Sequence, residues 1–376
     1  MVQVVFVHGV ATRGGPEYED QKNNRDRLLK AALFRQEAIT ILSPLWGDLM
    51  PPLAFDGASF AKDKVKALSL GGGMAAATPA ADVTATSVLP QIAGGSPASA
   101  IDLLFAERIA ISEAQGVPLS DADLLAFVAA VDLLDPGAPG NATTLATAQD
   151  DDAFVRQVRQ LAGRATGLGI GDTLIEAAKS VADRVRNIVS RGAYDMIVEP
   201  LNPLVAVFLG DVFRYLKYGE LRTAIRAKIC TDLTDAWAAR REGEKLVLIG
   251  HSLGGVILYD MLSEPKLAGL PDDFKADALV TVGSQPGFFQ ELGLFDHTPS
   301  PQSGVGVAGP VAAGVWLNTF DPIDPFGFRI IPMFSDVADY SFDSVTGLLS
   351  AHTTYFMRPQ FYARLRRRLI AAGILS

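Results

Sequence analysis

The chain contains one cysteine, Cys230, among its 376 residues. A single thiol excludes an intramolecular disulfide framework and any cysteine cluster for zinc or iron–sulfur, and its helical surroundings mark it as a small buried hydrophobe. Long apolar runs are also missing: the most tempting tract, 68–89, is interrupted by Pro79 and Asp82. It falls short of the roughly 18 uninterrupted apolar residues that a spanning helix requires, so none is expected. The segment 1–8 has no basic leader region and no small-residue cleavage site. The expectation is therefore a cytoplasmic protein whose first residues are structural, in which the sequon Asn141-Ala142-Thr143 has no role. Basic residues are in deficit, 33 Lys+Arg against 42 Asp+Glu, for a net charge of −9. That field repels phosphate backbones and excludes nucleic acid as a partner.

Cofactor signals are scarce too. Gly167-Leu-Gly169-Ile-Gly171 follows no strand and lacks the G-x-G-x-x-G register of a dinucleotide loop. Asp150-Asp151-Asp152 has no further ligands at calcium-loop spacing and reads as the acidic start of a helix. No H-E-x-x-H occurs, so neither a metal nor a cofactor is expected. The run Arg364-Leu-Arg-Arg-Arg368 reads as the solvated face of the last helix.

What is present favours a large folded core: 49% of residues are apolar and 20% charged. Val2 to Val7 is a β-branched run without polar alternation, the pattern of a strand buried on both faces. An amphipathic helix over 18–37 and a second strand over 38–42 follow. From 47 the composition changes, and a Gly/Ala/Ser/Thr/Pro-rich tract extends to about 99. Helical patterns then occupy 101–115, 121–134 after a Ser120 cap, 152–162, and 173–189 after Asp172. A long helix over 204–241, open to bending at Gly210 or Gly219, leads to a third buried strand at 245–249. Further strands are expected at 276–282, 315–320 and 337–342, with a closing helix over 359–372. Strand and helix alternation of this kind gives a mostly parallel, doubly wound α/β sheet. The expected division is core 1–46, a mainly helical insertion 47–199, and core 200–376.

The chemistry concentrates at Gly250-His251-Ser252-Leu253-Gly254-Gly255. G-x-S-x-G is weak as a pattern, but here it directly follows an apolar strand and precedes an apolar helix, the setting that places a serine hydroxyl on a sharp, strained turn. Glycines at 250 and 254 avoid β-carbons in the tightly reversed backbone. A serine hydroxyl needs a base, usually histidine, and the chain has four. His251 adjoins the serine and should point away from its hydroxyl. His8 belongs to the turn after the first strand and shapes that loop. His297 reads as a solvated loop residue ahead of the candidate acids. His352, expected in a loop before the last helix, fits the order serine, acid, histidine. The acid should lie beyond the strand at 315–320, where Asp321 and Asp324 compete. Asp324 is preferred because its loop can reach the histidine, while Asp321 can cap the turn before Pro322. Oxyanion donors are expected from the backbone N–H groups of Leu253, after the nucleophile, and Val10, after the His8-Gly9 turn.

Taken together, the strand-His8-Gly9 turn, the Gly250–Gly255 elbow, the strand leading into Gly283-Ser284, the Trp316-x-Asn318-x-x-Asp321-Pro-x-Asp324 segment and the late His352 resemble the α/β-hydrolase superfamily, particularly its esterase- and lipase-like members. The match covers roughly 1–46 and 200–376. The resemblance implies a Ser252–Asp324–His352 triad and hydrolysis of a carboxylic ester, lipid esters included, through an acyl-enzyme. It also implies that 47–199 is a cap over the site, with transient membrane-surface contact through it; within that stretch 71–95, apolar without strong periodicity, suits a mobile lid or a poorly ordered loop better than a rigid helix. The same superfamily includes acyltransferases and thioesterases, and a non-catalytic binding module is the remaining alternative.

Overall fold

The computed structural model describes residues 1–51, 87–166, 173–191, 201–217, 219–298, 305–342 and 348–376. The chain begins with β1 (Val2–Val7), α1 (Pro16–Leu28), a π-helical stretch Leu29–Phe34 and β2 (Ile39–Leu42). Helices follow: α2 (Val88–Gly95), α3 (Pro97–Gln115), α4 (Asp121–Asp132), α5 (Pro139–Ala146), α6 (Asp151–Thr166), α7 (Thr173–Arg191), α8 (Leu201–Lys217) and α9 (Gly219–Ala238). The chain then alternates through β3 (Lys245–His251), α10 (Leu253–Ser263), β4 (Ala276–Val282) and α11 (Pro286–Glu291). It ends with β5 (Val307–Ala308), β6 (Ala313–Phe320), β7 (Phe334–Ser335), β8 (Val337–Ser341), α12 (Leu348–Thr353) and α13 (Pro359–Ala371).

Six strands form one sheet in the order β2-β1-β3-β4-β6-β8, and every adjacent pair is parallel. All six residues of β1 are buried, because a parallel strand covered by helices on both faces has no wet side. Alternation along the strands divides the interior into two cores. Val2, Val4 and Phe6 join Val247, Ile249 and Val280 in one, which α1, the π-helical stretch, α2–α7 and α13 cover. Val5 and Val7 join Leu246, Leu248 and Leu279 in the other, which α8, α9 and α10 cover. Fully burying side chains of this size contributes about 1.5–3 kcal/mol each.

The strand order decides where a site can lie. From β1 the chain moves to β2 on one side, then returns to place β3 on the other, so the direction of winding reverses between β1 and β3. At such a switch point the loops leaving the carboxyl ends of the two strands diverge and open a crevice.

Several elements depart from their sequence patterns. The helix read over 18–37 becomes π-helical at Leu29 and ends at Arg35, whose φ is 51°. The long helix read over 204–241 is two helices, α8 and α9; Gly219 opens the second, while Gly210 sits unbroken inside the first. In the tract read as mobile, 71–86 lies outside the described residues, whereas 88–95 is α2, with Val88, Leu89 and Ala93 buried. Hydrophobic packing, absent from any local pattern, orders that helix. Asp172 and the glycines 167–171 also lie outside the described residues. No described helix is long and apolar enough to cross a membrane.

Candidate active site

Ser252 is the single residue between β3 and α10. Its φ of 53° and ψ of −129° lie where a side chain is costly, a strain of about 1–3 kcal/mol that surrounding structure must hold. The neighbouring strand supplies that hold: the Ser252 N–H donates to the Val282 carbonyl at 3.0 Å, and Ser284 Oγ donates to the Ser252 carbonyl at 2.7 Å. Close packing explains the flanking glycines. A β-carbon on Gly254 would stand 2.2 Å from the Val7 carbonyl oxygen, and one on Gly250 would stand 2.5 Å from Gly255 Cα. The turn after β1 presses on the same residue, since a β-carbon on Gly9 would lie 2.7 Å from Ser252 Cβ. Ser252 is buried, and its Oγ has no hydrogen-bond partner.

His352 occupies the last turn of α12, against the loop expected from its polar flanks. Its Nδ1 stands 3.1 and 3.0 Å from Oδ1 and Oδ2 of Asp324. A carboxylate only accepts, so Nδ1 donates its N–H to Asp324, and Nε2 is the ring nitrogen that the carboxylate leaves free. Asp324 also accepts from the Phe326 N–H at 2.8 Å and from Tyr355 Oη at 2.9 Å. Asp321, the competing carboxylate, turns back on its own loop, where Oδ1 accepts the Ile323 N–H at 2.9 Å. The carboxylate that reaches His352 is thus Asp324. Ser252 and His352 line the same cavity, and no hydrogen bond joins them.

The remaining histidines divide differently from their sequence readings. His251 makes no hydrogen bond to the hydroxyl and instead touches His352: its Nε2–H donates to the His352 carbonyl at 2.9 Å, and the two rings stack at 4.9 Å. Burial first, and the neighbouring His352 second, push its pKa down to about 3. His8 shapes its turn as expected, with Nδ1 2.8 Å from the Gly9 carbonyl. Its ring stacks on Trp46 at 4.8 Å, and burial brings its pKa down to about 4. His297 is not solvated. Its side chain is buried, 3.6 Å from Asp260 and near the rings of Tyr259 and Phe295, because the loop after α11 folds onto α10.

Leu253 opens α10, where first-turn N–H groups have no intrahelical partner. Val10 lies on the cavity wall directly after Gly9. The turn carrying Val10 is held by buried Asp211 of α8, which accepts the Ala11 N–H at 3.1 Å and pairs with Arg13 at 3.3 Å. Asp211 and Tyr355 escaped the sequence reading. A tyrosine three residues after the candidate histidine is a faint local signal; Asp211, 200 residues from Ala11, offered none.

The cavity measures about 490 Å³. Phe6, Leu28, Ile109, Phe208, Phe326 and Met357 give it apolar walls, and His8, Tyr18, Lys22, Arg25 and Glu113 give it polar ones. Of the described helices between 87 and 191, α3 reaches this space, through Ile109 and Glu113. Burial, assisted by Glu17, raises the Glu113 pKa to about 7. A second cavity of about 520 Å³ lies between β8 and α13, lined by Tyr340, Phe342, Arg364 and Arg368.

No protein-family profile matches the chain, and no solved structure matches it. A probable phospholipase of Saccharomyces cerevisiae, mitochondrial by its name, is 29% identical over 157 residues. The aligned part is 38% of this chain and 21% of that protein, so the chain spans about a fifth of the relative's length. The findings support distant homology to that protein and an α/β architecture built on a parallel sheet.

Proposed function

We propose that the chain is a serine hydrolase of the α/β-hydrolase type that cleaves a lipid ester. Its core would comprise 1–46 and 200–376, with 47–199 inserted beside the site. The observation carrying this reading is an unpartnered Ser252 hydroxyl on a strained turn, facing the same cavity as an imidazole whose far nitrogen is bound by a buried carboxylate. The apolar walls suit an acyl chain, and the name of the yeast relative points to the same substrate class.

In the proposed mechanism the substrate carbonyl enters beside Ser252, and rotation of the serine side chain brings Oγ to His352 Nε2. Such bonds are often made only in the substrate complex. Nε2 takes the hydroxyl proton as Oγ attacks the carbonyl carbon. The resulting oxyanion accepts hydrogen bonds from the Leu253 and Val10 N–H groups, each worth about 3 kcal/mol of transition-state stabilisation. His352 then gives its proton to the departing alkoxide, releasing the alcohol and leaving the acyl group on Ser252. Water enters, loses a proton to Nε2 and attacks the acyl carbon. Return of that proton to Oγ frees the fatty acid. Throughout, Asp324 orients the ring and stabilises its charged form, while Tyr355 and the Phe326 N–H hold the carboxylate in place.

A fluorophosphonate probe should label the wild-type protein and spare Ser252→Ala, and only the wild type should release fatty acid from phospholipid vesicles or p-nitrophenyl esters. A folded wild type that takes no label and turns over no ester would falsify the proposal.

A further inference from the structure

Among the described residues, three polar atoms on the cavity are buried without a hydrogen-bond partner: Ser252 Oγ, His8 Nε2 and Tyr18 Oη. The first is the proposed nucleophile. The other two have no part in that mechanism, although His8 is 5% exposed and Tyr18 8%. Buried polar atoms are almost always paired, so two orphans on one cavity wall call for an explanation.

Their chemistry is specific. The His8 Nδ1 bond to the Gly9 carbonyl places the ring proton on Nδ1, because a carbonyl only accepts. Nε2 is then a bare lone pair, and burial keeps the ring neutral. Tyr18 Oη supplies an O–H donor, and its ring stands edge-on to that of His8 at 6.1 Å. An uncharged acceptor beside an uncharged donor fits a ligand hydroxyl, which donates to Nε2 while accepting from Oη. A phosphate fits less well, because the two cations on this wall are both already paired: Lys22 with Asp26 at 3.1 Å, and Arg25 with the same carboxylate at 2.6 Å. Placement follows from the chain, since His8 precedes Gly9, the residue packed against Ser252. A hydroxyl held here would share the cavity that Ser252 lines, while the apolar walls remain for the acyl chain.

We infer that His8 and Tyr18 form a hydroxyl-recognising subsite that selects esters of polyols, whose leaving alcohol carries a further free hydroxyl near the scissile bond. The subsite's role in selecting substrates rests on the hydrolase reading; its recognition of a hydroxyl does not. The test is calorimetric titration of 1-O-hexylglycerol, which cannot be hydrolysed, against its 2,3-di-O-methyl ether. Wild type should bind the free diol about tenfold tighter or better, because a site built around a hydroxyl rejects the analogue lacking it. In Tyr18→Phe, with folding checked by its melting curve, the two affinities should converge. Equal affinities in wild type, no binding of the diol, or an undiminished preference in Tyr18→Phe would overturn the inference. Fluorophosphonate labelling of the same samples separates the two readings. Labelled protein without a preference sinks the subsite alone, and unlabelled protein with a preference sinks the hydrolase reading together with substrate selection, leaving only the recognition of a hydroxyl.

Discussion

Ser120 and Ser252 both stand at the N-cap of a helix, and the molecule uses them in opposite ways. Ser120 has an extended φ of −68°, its side chain accepts the Asp123 N–H, and Asp123 accepts the Ser120 N–H at 3.0 Å, completing a capping box at α4. Arg108 then closes on the same buried carboxylate through two bonds of 3.0 and 2.9 Å. At α10 the backbone is forced to φ 53°, and Ser252 caps nothing. In the helical layer local polar groups satisfy each other. At the switch point between β1 and β3, packed strands and glycines hold one hydroxyl unsatisfied and aimed into a cavity. A polar group left in that state is available for chemistry, and the sheet supplies the stability that the turn forgoes.

The largest expected effect sharpens the contrast between these serines. Ser252→Ala should cut ester turnover by about 10⁶-fold, whereas Ser120→Ala should leave it unchanged. Next comes the contrast between carboxylates: Asp324→Asn, which removes the acceptor that fixes the His352 tautomer, should lower kcat by about 10⁴-fold. Asp321→Asn, which disturbs a local turn, should lose far less; equal losses in steady-state kinetics would mean the wrong acid has been assigned.

Stability against pH separates the regions as well, since all four histidines lie outside the helices of 87–191. His8 and His251 bind protons only near pH 4 and 3 when folded, against about 6.5 when unfolded. Their contribution is complete above pH 6.5 and falls as pH drops below it, by up to about 1.4 kcal/mol per pH unit for each ring. Glu113 on α3 carries the opposite sign, because its raised pKa costs stability as pH climbs from its ordinary value towards 7. In urea titrations between pH 5 and 7.5, His251→Gln should therefore flatten the profile and Glu113→Gln should steepen it. Neither variant changing the slope would remove these groups from the account.

The smallest effect returns to the caps. Ser120→Ala should destabilise the fold by about 1 kcal/mol. Ser252→Gly, which relieves the left-handed φ, should stabilise it by about 1 kcal/mol. Opposite shifts in Tm would bear out the comparison, and shifts of the same sign would break it.

Short-range physics made part of this arrangement visible before any folding was considered. A mostly β-branched apolar run, interrupted only by Gln3, marked β1 as a doubly covered strand, the Ser120 cap marked the start of α4, and strand-glycine-x-serine-x-glycine-helix specified the turn at 252. Each depends on steric and hydrogen-bonding rules acting over a few residues, and such rules are written in consecutive side chains. Other features require distant segments to meet. The Asp324–His352 contact spans 28 residues and the His251–His352 bond 101. The burial of His297 and the clamp of Asp211 on the β1 turn depend likewise on how helices stack against the sheet. The residue sequence by itself determined the strands of the six-stranded sheet, the Ser120 cap and the turn at Ser252. Which carboxylate meets the imidazole, and which polar atoms are left facing the cavity, was decided only when strand order and packing brought those segments together.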